Sequence, residues 1–181
     1  LGHRSIASST NERTMIATIL PPRTFFGNSI HATKARADGA VLLFATGVLN
    51  SFVCDYSLRS SVSQNLTMFF IYQLPVPRLT EKDAAFRPIV ERAARLICTT
   101  PEFDDLAQEI FSGQANAASV GATVPAERAK LRAELDGLVA HLYGLTEEEF
   151  AHILTTFPLV SDEVKIAAHN AFRNVERGLV K

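Results

Sequence analysis

The part of the sequence that decides the fold is residues 49–77, LNSFVCDYSLRSSVSQNLTMFFIYQLPVP. Its first residues end a run, residues 40–53, that is apolar on nearly every helical face, which predicts a largely buried helix. Residues 66–72 form a short aliphatic and aromatic run between turn formers, which predicts a core strand. Residues 60–65 carry hydroxyl and amide side chains but no carboxylate. Such a loop, held between rigid elements, suits recognition better than acid–base catalysis.

The residues before this stretch predict a small globule. Residues 14–20 and 29–33 have the composition of short strands, and the first is stopped by Pro21 and Pro22, which cannot donate ladder hydrogen bonds. Asp38 is a suitable N-cap for the apolar helix. We therefore expect residues 1–78 to form a small mixed β-sheet globule with a buried helix.

The residues after it predict helices only, because apolar side chains recur there at helical spacing. Helices are expected to begin near residues 80–83, at Pro101, at Glu127, after Thr146 and after Ser161. The small and polar residues 112–124 predict a flexible linker. The expected fold class is thus α+β, with residues 79–181 forming an all-α tail or bundle.

Length and composition favour an ordinary globular protein. The chain has 181 residues, of which 47% are hydrophobic and 20% charged, enough for one good core. No apolar run reaches the roughly 18 residues that cross a bilayer, so no membrane partner is expected. The two cysteines lie in apolar helical patterns and the first residues do not resemble a signal peptide, so we expect buried, reduced thiols in a cytoplasmic protein. The start at Leu1 suggests a fragment of something longer.

The charge is unevenly divided between the two parts. Residues 1–78 carry seven Lys and Arg against three Asp and Glu, whereas residues 79–181 carry eleven against sixteen. The first part is therefore the one better suited to meet phosphate groups.

Sequence motifs for common catalytic chemistry are missing. The chain has no P-loop, no Gly-x-Gly-x-x-Gly, no Gly-x-Ser-x-Gly and no His-Glu-x-x-His. The five histidines are scattered, and His141 and His152 fall on separate predicted helices, so no metal site is expected. We predict no catalytic residue in this chain.

Several stretches together resemble the C-terminal region of adenine-specific DNA methyltransferases of the type II restriction enzyme methylase subunit kind. The order and spacing of these stretches carry the resemblance over nearly the whole chain. They are RSIA at 4–7, NERT at 11–14, ILPP at 19–22, LNSF at 49–52, Asp55, Tyr56, Arg59, Asn65, Phe69, QLPVP at 73–77, LRAELD at 131–136 and LYGL at 142–145.

The resemblance implies a target-recognition region, related in plan to the specificity subunits of type I restriction systems. Its implied partners are double-stranded DNA and a methyltransferase domain upstream in the parent chain. The catalytic Asn-Pro-Pro-Tyr box of that family is missing here. No cofactor is therefore expected in this chain, whereas the parent, with or without a fused endonuclease, is expected to use S-adenosylmethionine.

The candidate DNA-binding residues are side chains able to meet bases or phosphates. Arginine can fork onto guanine or phosphate, Asn and Gln can pair with adenine, and hydroxyls can donate to backbone oxygens. The first candidates are Arg59, Ser60, Ser61, Ser63, Gln64 and Asn65, and the second are Lys34, Arg36, Arg13 and Arg23. The structural alternative is a solvated turn at residues 60–65 and an Arg13 that pairs with Glu12 or Asp55 to hold the globule together.

Two other functions compete with DNA recognition. The acidic helical half could dock another protein subunit, with the first half as a scaffold and no direct DNA contact. A small hydrolase or transferase without a recognisable motif is the third hypothesis.

Overall fold

A computed structural model of the chain describes residues 1–8, 10–33, 37–62 and 65–181. Within these residues, β1 (Gly2–Arg4) lies between β2 (Ala17–Thr18) and β3 (Ile30–Ala32) in a three-stranded sheet. Both pairings are antiparallel, with His3 opposite Ala17 and His31. The α+β class is confirmed, but the described sheet is antiparallel and not mixed.

The other regular elements of the described chain are helices. The helices are α1 (Gly39–Leu49), α2 (Phe52–Arg59), α3 (Met68–Tyr72), α4 (Phe86–Ile97), α5 (Asp104–Phe111), α6 (Ala117–Val120), α7 (Pro125–Leu142), α8 (Glu147–Thr155) and α9 (Asp162–Glu176), with a 3₁₀ turn at Pro101–Phe103. The capping box predicted at Thr146 is present, since its side chain accepts from the Glu149 N–H and the Glu149 carboxylate accepts from the Thr146 N–H. The segment predicted as a linker contains α6, which has its own capping box at Asn116.

The apolar helix predicted over residues 40–53 breaks near its end into α1 and α2. The break occurs at Asn50, the C-cap of α1, whose Nδ2 donates both to the Thr46 carbonyl of α1 and to the Ala17 carbonyl of β2, each at 2.9 Å. Its Oδ1 accepts from the Ala17 N–H at 3.0 Å. Ser51 then starts α2 by accepting from the Cys54 N–H at 3.2 Å. No single described helix is long and apolar enough to cross a membrane, and α1 and α2 reach that length only as a pair bent by 62°.

The prediction of a strand over residues 66–72 is wrong, because Met68–Tyr72 is helical. Asn65 makes an isolated bridge with Ile6, and the Leu66 N–H donates to the Ser5 carbonyl at 2.7 Å, but the pairing ends there. Without a ladder to join, the following residues satisfy their N–H groups locally as α3. The outer side chains of α3 remain in solvent, with Phe69 67% exposed and Tyr72 79% exposed.

Two hydrophobic clusters form the interior. The larger one joins buried residues of α1, such as Phe44 and Val48, to those of α4, α5 and α7–α9. It therefore contains residues from both sides of position 78, and the division at that position stays a prediction. The smaller one includes Met15, Cys54, Leu58 and Leu66 and lies beneath the sheet region.

Both cysteines are buried and free, as expected. Burial raises the pKa of the Cys54 thiol to about 12 and that of Cys98 to about 11. Both thiols are therefore poor nucleophiles in the folded chain.

Candidate nucleic-acid interface

An open cleft lies where α2 meets the turn after α8. It is lined by Tyr56, Ser57, Arg59, Ser60, Thr156 and Pro158. Among these lining residues are four that carry hydroxyl groups and one guanidinium, and there is no carboxylate. These groups can donate hydrogen bonds to a phosphate group, whose negative charge Arg59 attracts, and none of these lining residues is a His, Asp or Glu that could act as a general base.

Arg59 is the cationic residue of the cleft and is also part of the fold. Its Nη2 donates to the Asn11 carbonyl at 2.9 Å, and its Nη1 makes a long bond of 3.5 Å to the Thr156 carbonyl. Its Cζ lies 4.1 Å from the centroid of the Phe157 ring. The half-buried guanidinium thus joins α2 to the N-terminal loop and to the bundle, and its charge is held in place at the cleft.

The other described residues of the predicted loop point their side chains outward. Ser60, Ser61 and Asn65 are exposed, whereas Val62 between them is buried in the smaller core. The backbone is fixed at both ends, because the Val62 N–H donates to the Leu58 carbonyl at 3.2 Å and Asn65 bridges Ile6. The predicted candidates Ser63 and Gln64 lie outside the described residues.

Arg13 is engaged inside the molecule. Its Nη2 lies 3.4 Å from Oδ2 of Asp136, and its Cζ lies 3.4 Å from the centroid of the Phe52 ring. The idea that Arg13 holds the globule together fits this geometry, but the ion pair is with Asp136 of α7, not with Glu12 or Asp55. Asp136 is 123 residues away from Arg13 in the sequence, so no local pattern predicts this ion pair.

Two buried carboxylates accompany Arg13. Asp136 also accepts from the Phe52 N–H at 2.8 Å, and both oxygens of Asp55 accept from the Thr14 N–H, the shorter bond being 3.0 Å. Burial raises the pKa of each carboxyl, and the positive charge of Arg13 partly opposes that rise. These carboxyls tie the first half of the chain to itself and to α7, so their role is structural.

The second group of cationic candidates lies elsewhere. Arg23 is exposed on the loop between β2 and β3, where it adopts a φ of 59°, and it does not line the cleft. Phe25 on the same loop is 99% exposed. Lys34 and Arg36 lie outside the described residues. The structure therefore brings Arg59 and Ser60 together in the cleft, whereas Arg23 lies on a different loop outside it.

Sequence reasoning missed part of the cleft. Tyr56 and Ser60 are four residues apart, a spacing that places them on one face of α2, so helical periodicity could have grouped them. Thr156 and Pro158 come from the far end of the chain. Their place opposite α2 depends on the packing of α2 against α8, which no local pattern announces.

Comparison of this chain with known proteins found no similar protein. Neither the family models nor the curated proteins nor the solved structures give a match to this chain. Among the described residues, no group of three or more His, Cys, Asp or Glu side chains is arranged to hold a metal ion.

Proposed function

We propose that this chain is a DNA-recognition module of a restriction–modification DNA methyltransferase. The observation that carries the proposal is the cleft at the end of α2, where hydroxyl groups surround the fixed charge of Arg59 and no lining residue is a carboxylate. The resemblance of the sequence to target-recognition regions points the same way. A phosphate of the DNA backbone is the ligand that this set of donors suits best.

In this proposal the cleft positions the duplex and the neighbouring loop reads it. Tyr56 donates a hydrogen bond to a phosphate oxygen, and the Ser57 and Ser60 hydroxyls turn from the Val53 and Ser57 carbonyls to do the same. Arg59 supplies positive charge without leaving its own partners. Phosphate contacts fix the orientation of the duplex but carry no sequence information, so amide side chains must read the bases. Asn65, which is exposed and follows the cleft residue Ser60 by five positions in the sequence, is such a side chain. Methyl transfer, with its S-adenosylmethionine, belongs to a domain upstream in a cytoplasmic parent enzyme.

Binding of a DNA duplex across a salt series tests the proposal. We expect measurable affinity at about 50 mM salt that falls steeply toward about 200 mM, because phosphate contacts release counterions. The double variant Ser57→Ala/Ser60→Ala should weaken binding by about fivefold or more through the loss of two donors. Thr123→Ala removes an exposed hydroxyl that does not line the cleft and should bind like the wild type.

A matched pair of arginines extends the test to Arg23. Arg23→Gln should lower the slope of log affinity against log salt by about 0.9 if Arg23 meets a phosphate. Arg132→Gln, on the exposed face of α7, removes the same charge from the bundle and should leave the slope unchanged. Absence of any DNA binding at low salt would contradict the proposal.

A subunit-docking module is the second candidate, favoured by exposed apolar side chains on α9 and just before it. Leu159, Val164 and Ile166 are 62%, 44% and 59% exposed. On this alternative the chain binds no DNA even at low salt, and Ile166→Asp abolishes association with the partner subunit. If Ile166→Asp leaves DNA binding unchanged, Ile166 plays no part in the DNA-binding role.

A further inference from the structure

Two histidines and a methionine that are far apart in sequence meet where β1 pairs with β3. His3 of β1 faces His31 of β3 in the antiparallel register, and their rings stand edge to face with centroids 5.4 Å apart. His3 Nε2 lies 3.4 Å from the sulfur of Met68, the first residue of α3. His3 itself is 7% exposed.

The hydrogen bonding of His3 leaves a lone pair facing the thioether. Nδ1 lies 3.2 Å from the Arg4 carbonyl oxygen, which can only accept, so Nδ1 carries the proton of a neutral ring. Nε2 and the Met68 sulfur are then two electron-pair donors in contact, an arrangement that an electron-pair acceptor between them would satisfy.

We propose that His3, His31 and Met68 form a binding site for a soft monovalent metal ion, Cu(I). A thioether with imidazoles selects Cu(I) over hard cations, and three neutral ligands suit a single positive charge. His31 Nδ1 is buried and has no hydrogen-bond partner among the described residues, and in this site it serves as the third ligand. The bond from His3 Nδ1–H to the Arg4 carbonyl is the outer contact that usually fixes a metal-binding imidazole.

The two distances measured from His3 fit an ion that is shared with Met68 and with His31. With bonds of about 2.0 Å to nitrogen and about 2.3 Å to sulfur, the 3.4 Å between His3 Nε2 and the Met68 sulfur corresponds to roughly 100° at the metal. Two rings whose centroids each lie about 3.1 Å from a shared metal would be 5.4 Å apart at roughly 120°. Both angles suit a three-coordinate ion. The site is independent of the DNA cleft and does not depend on the proposed function.

The methionine methyl groups report directly on this site. The chain has two methionines, Met15 and Met68, so protein labelled with ¹³C at the methionine methyls gives two signals. Titration of the full chain with Cu(I), without oxygen, should shift one signal at one equivalent and leave the other in place. The shifted signal should be absent from Met68→Leu and present in Met15→Leu, each a swap of similar volume that the core tolerates.

Competition with a chromophoric Cu(I) chelator gives the affinity. Loss of an outer-shell partner alone costs about 10- to 100-fold in metal affinity, so Met68→Leu and His31→Gln should each weaken binding by roughly tenfold or more. His152→Gln, at an exposed position on α8, should change nothing. The proposal is overturned if neither methyl signal moves, if the Met15 signal moves instead, or if both variants bind Cu(I) like the wild type, as they would if the ion were held by Cys54 or Cys98.

Discussion

The two hydrophobic cores of this molecule are held together in different ways. The larger core lies between helices whose apolar stripes face one another, with Phe86, Phe150 and Phe172 almost fully buried. The smaller core, around Met15 and Leu66, lies under strands of only two or three residues. Strands this short have too few ladder bonds to be stable by themselves.

Polar side chains near the break between α1 and α2 compensate for the short strands. Asn50 bonds both the N–H and the carbonyl of Ala17, as a neighbouring strand would, and Asp55 accepts from the Thr14 N–H. The bundle therefore depends on apolar periodicity, whereas the sheet region depends on a few buried polar bonds. The two regions should respond to different substitutions.

The largest expected effect comes from emptying the larger core. Phe172→Ala removes a ring that packs against Phe150 and His141, and we expect it to lower the free energy of unfolding by about 3–5 kcal/mol. Phe69→Ala removes the same ring from an exposed position and should change little. Urea denaturation measures both, and equal effects of the two variants would mean that α9 does not pack as described.

The next effect tests the polar support of the sheet. Asn50→Ala leaves the N–H and carbonyl of Ala17 without their partner, and we expect a loss of about 2–3 kcal/mol. Amide exchange should speed up first around β2, while α7 and α9 stay protected. Asn170→Ala, at an exposed position on α9, is the control. Uniform acceleration over the whole chain would show that the two regions unfold as one.

A smaller effect is expected where the two regions meet at the cleft. Arg59→Ala removes the bond to the Asn11 carbonyl and the contact with the Phe157 ring, which together should be worth about 1–3 kcal/mol. Arg59→Lys should recover only part of this loss, because an ammonium cannot replace the planar fork. Thermal denaturation of the two variants measures these losses of stability. Full recovery of the wild-type stability by Arg59→Lys would show that only the positive charge matters.

The smallest effect is a pH dependence at the same junction. Burial raises the pKa of Asp136 above its ordinary value of 3.8 despite the nearby Arg13, so the folded chain binds a proton that the unfolded chain has lost. The stabilising contribution of the protonated carboxyl is therefore complete below pH 3.8 and is lost as the pH rises through the folded pKa. As the pH rises from 3.8 through the folded pKa of Asp136, the free energy of unfolding of the wild type should fall relative to that of Asp136→Asn. A difference between them that is constant with pH would contradict the raised pKa.

The sequence predicts the bundle better than the sheet region for a physical reason. Helices such as α7 and α8 follow from local spacing and from the caps at their ends, such as the capping box at Thr146. By contrast, β1 lies in a stretch with no strand pattern and is a strand because β2 and β3 flank it. Residues 66–72, by contrast, follow a single isolated bridge at Asn65 and have no partner strand among the described residues, so Met68–Tyr72 forms α3 instead of the predicted strand.

The sequence singled out two residues of the cleft by their type but did not predict the cleft itself. A loop rich in hydroxyls beside an arginine indicated a recognition site, and Arg59 and Ser60 do line the cleft. The contacts that hold Arg59, to Asn11 and Phe157, are 48 and roughly 100 residues away in sequence, beyond the reach of any local pattern.

The most direct test of the DNA-binding proposal is amide NMR of the full chain with a DNA duplex at low salt. We predict that the amide signals of Tyr56, Ser57, Arg59, Ser60 and Thr156, which line the cleft, shift as DNA is added, and that these shifts reverse as salt is raised. Shifts confined to α9, or none at all, would contradict the proposal that this cleft meets the DNA backbone.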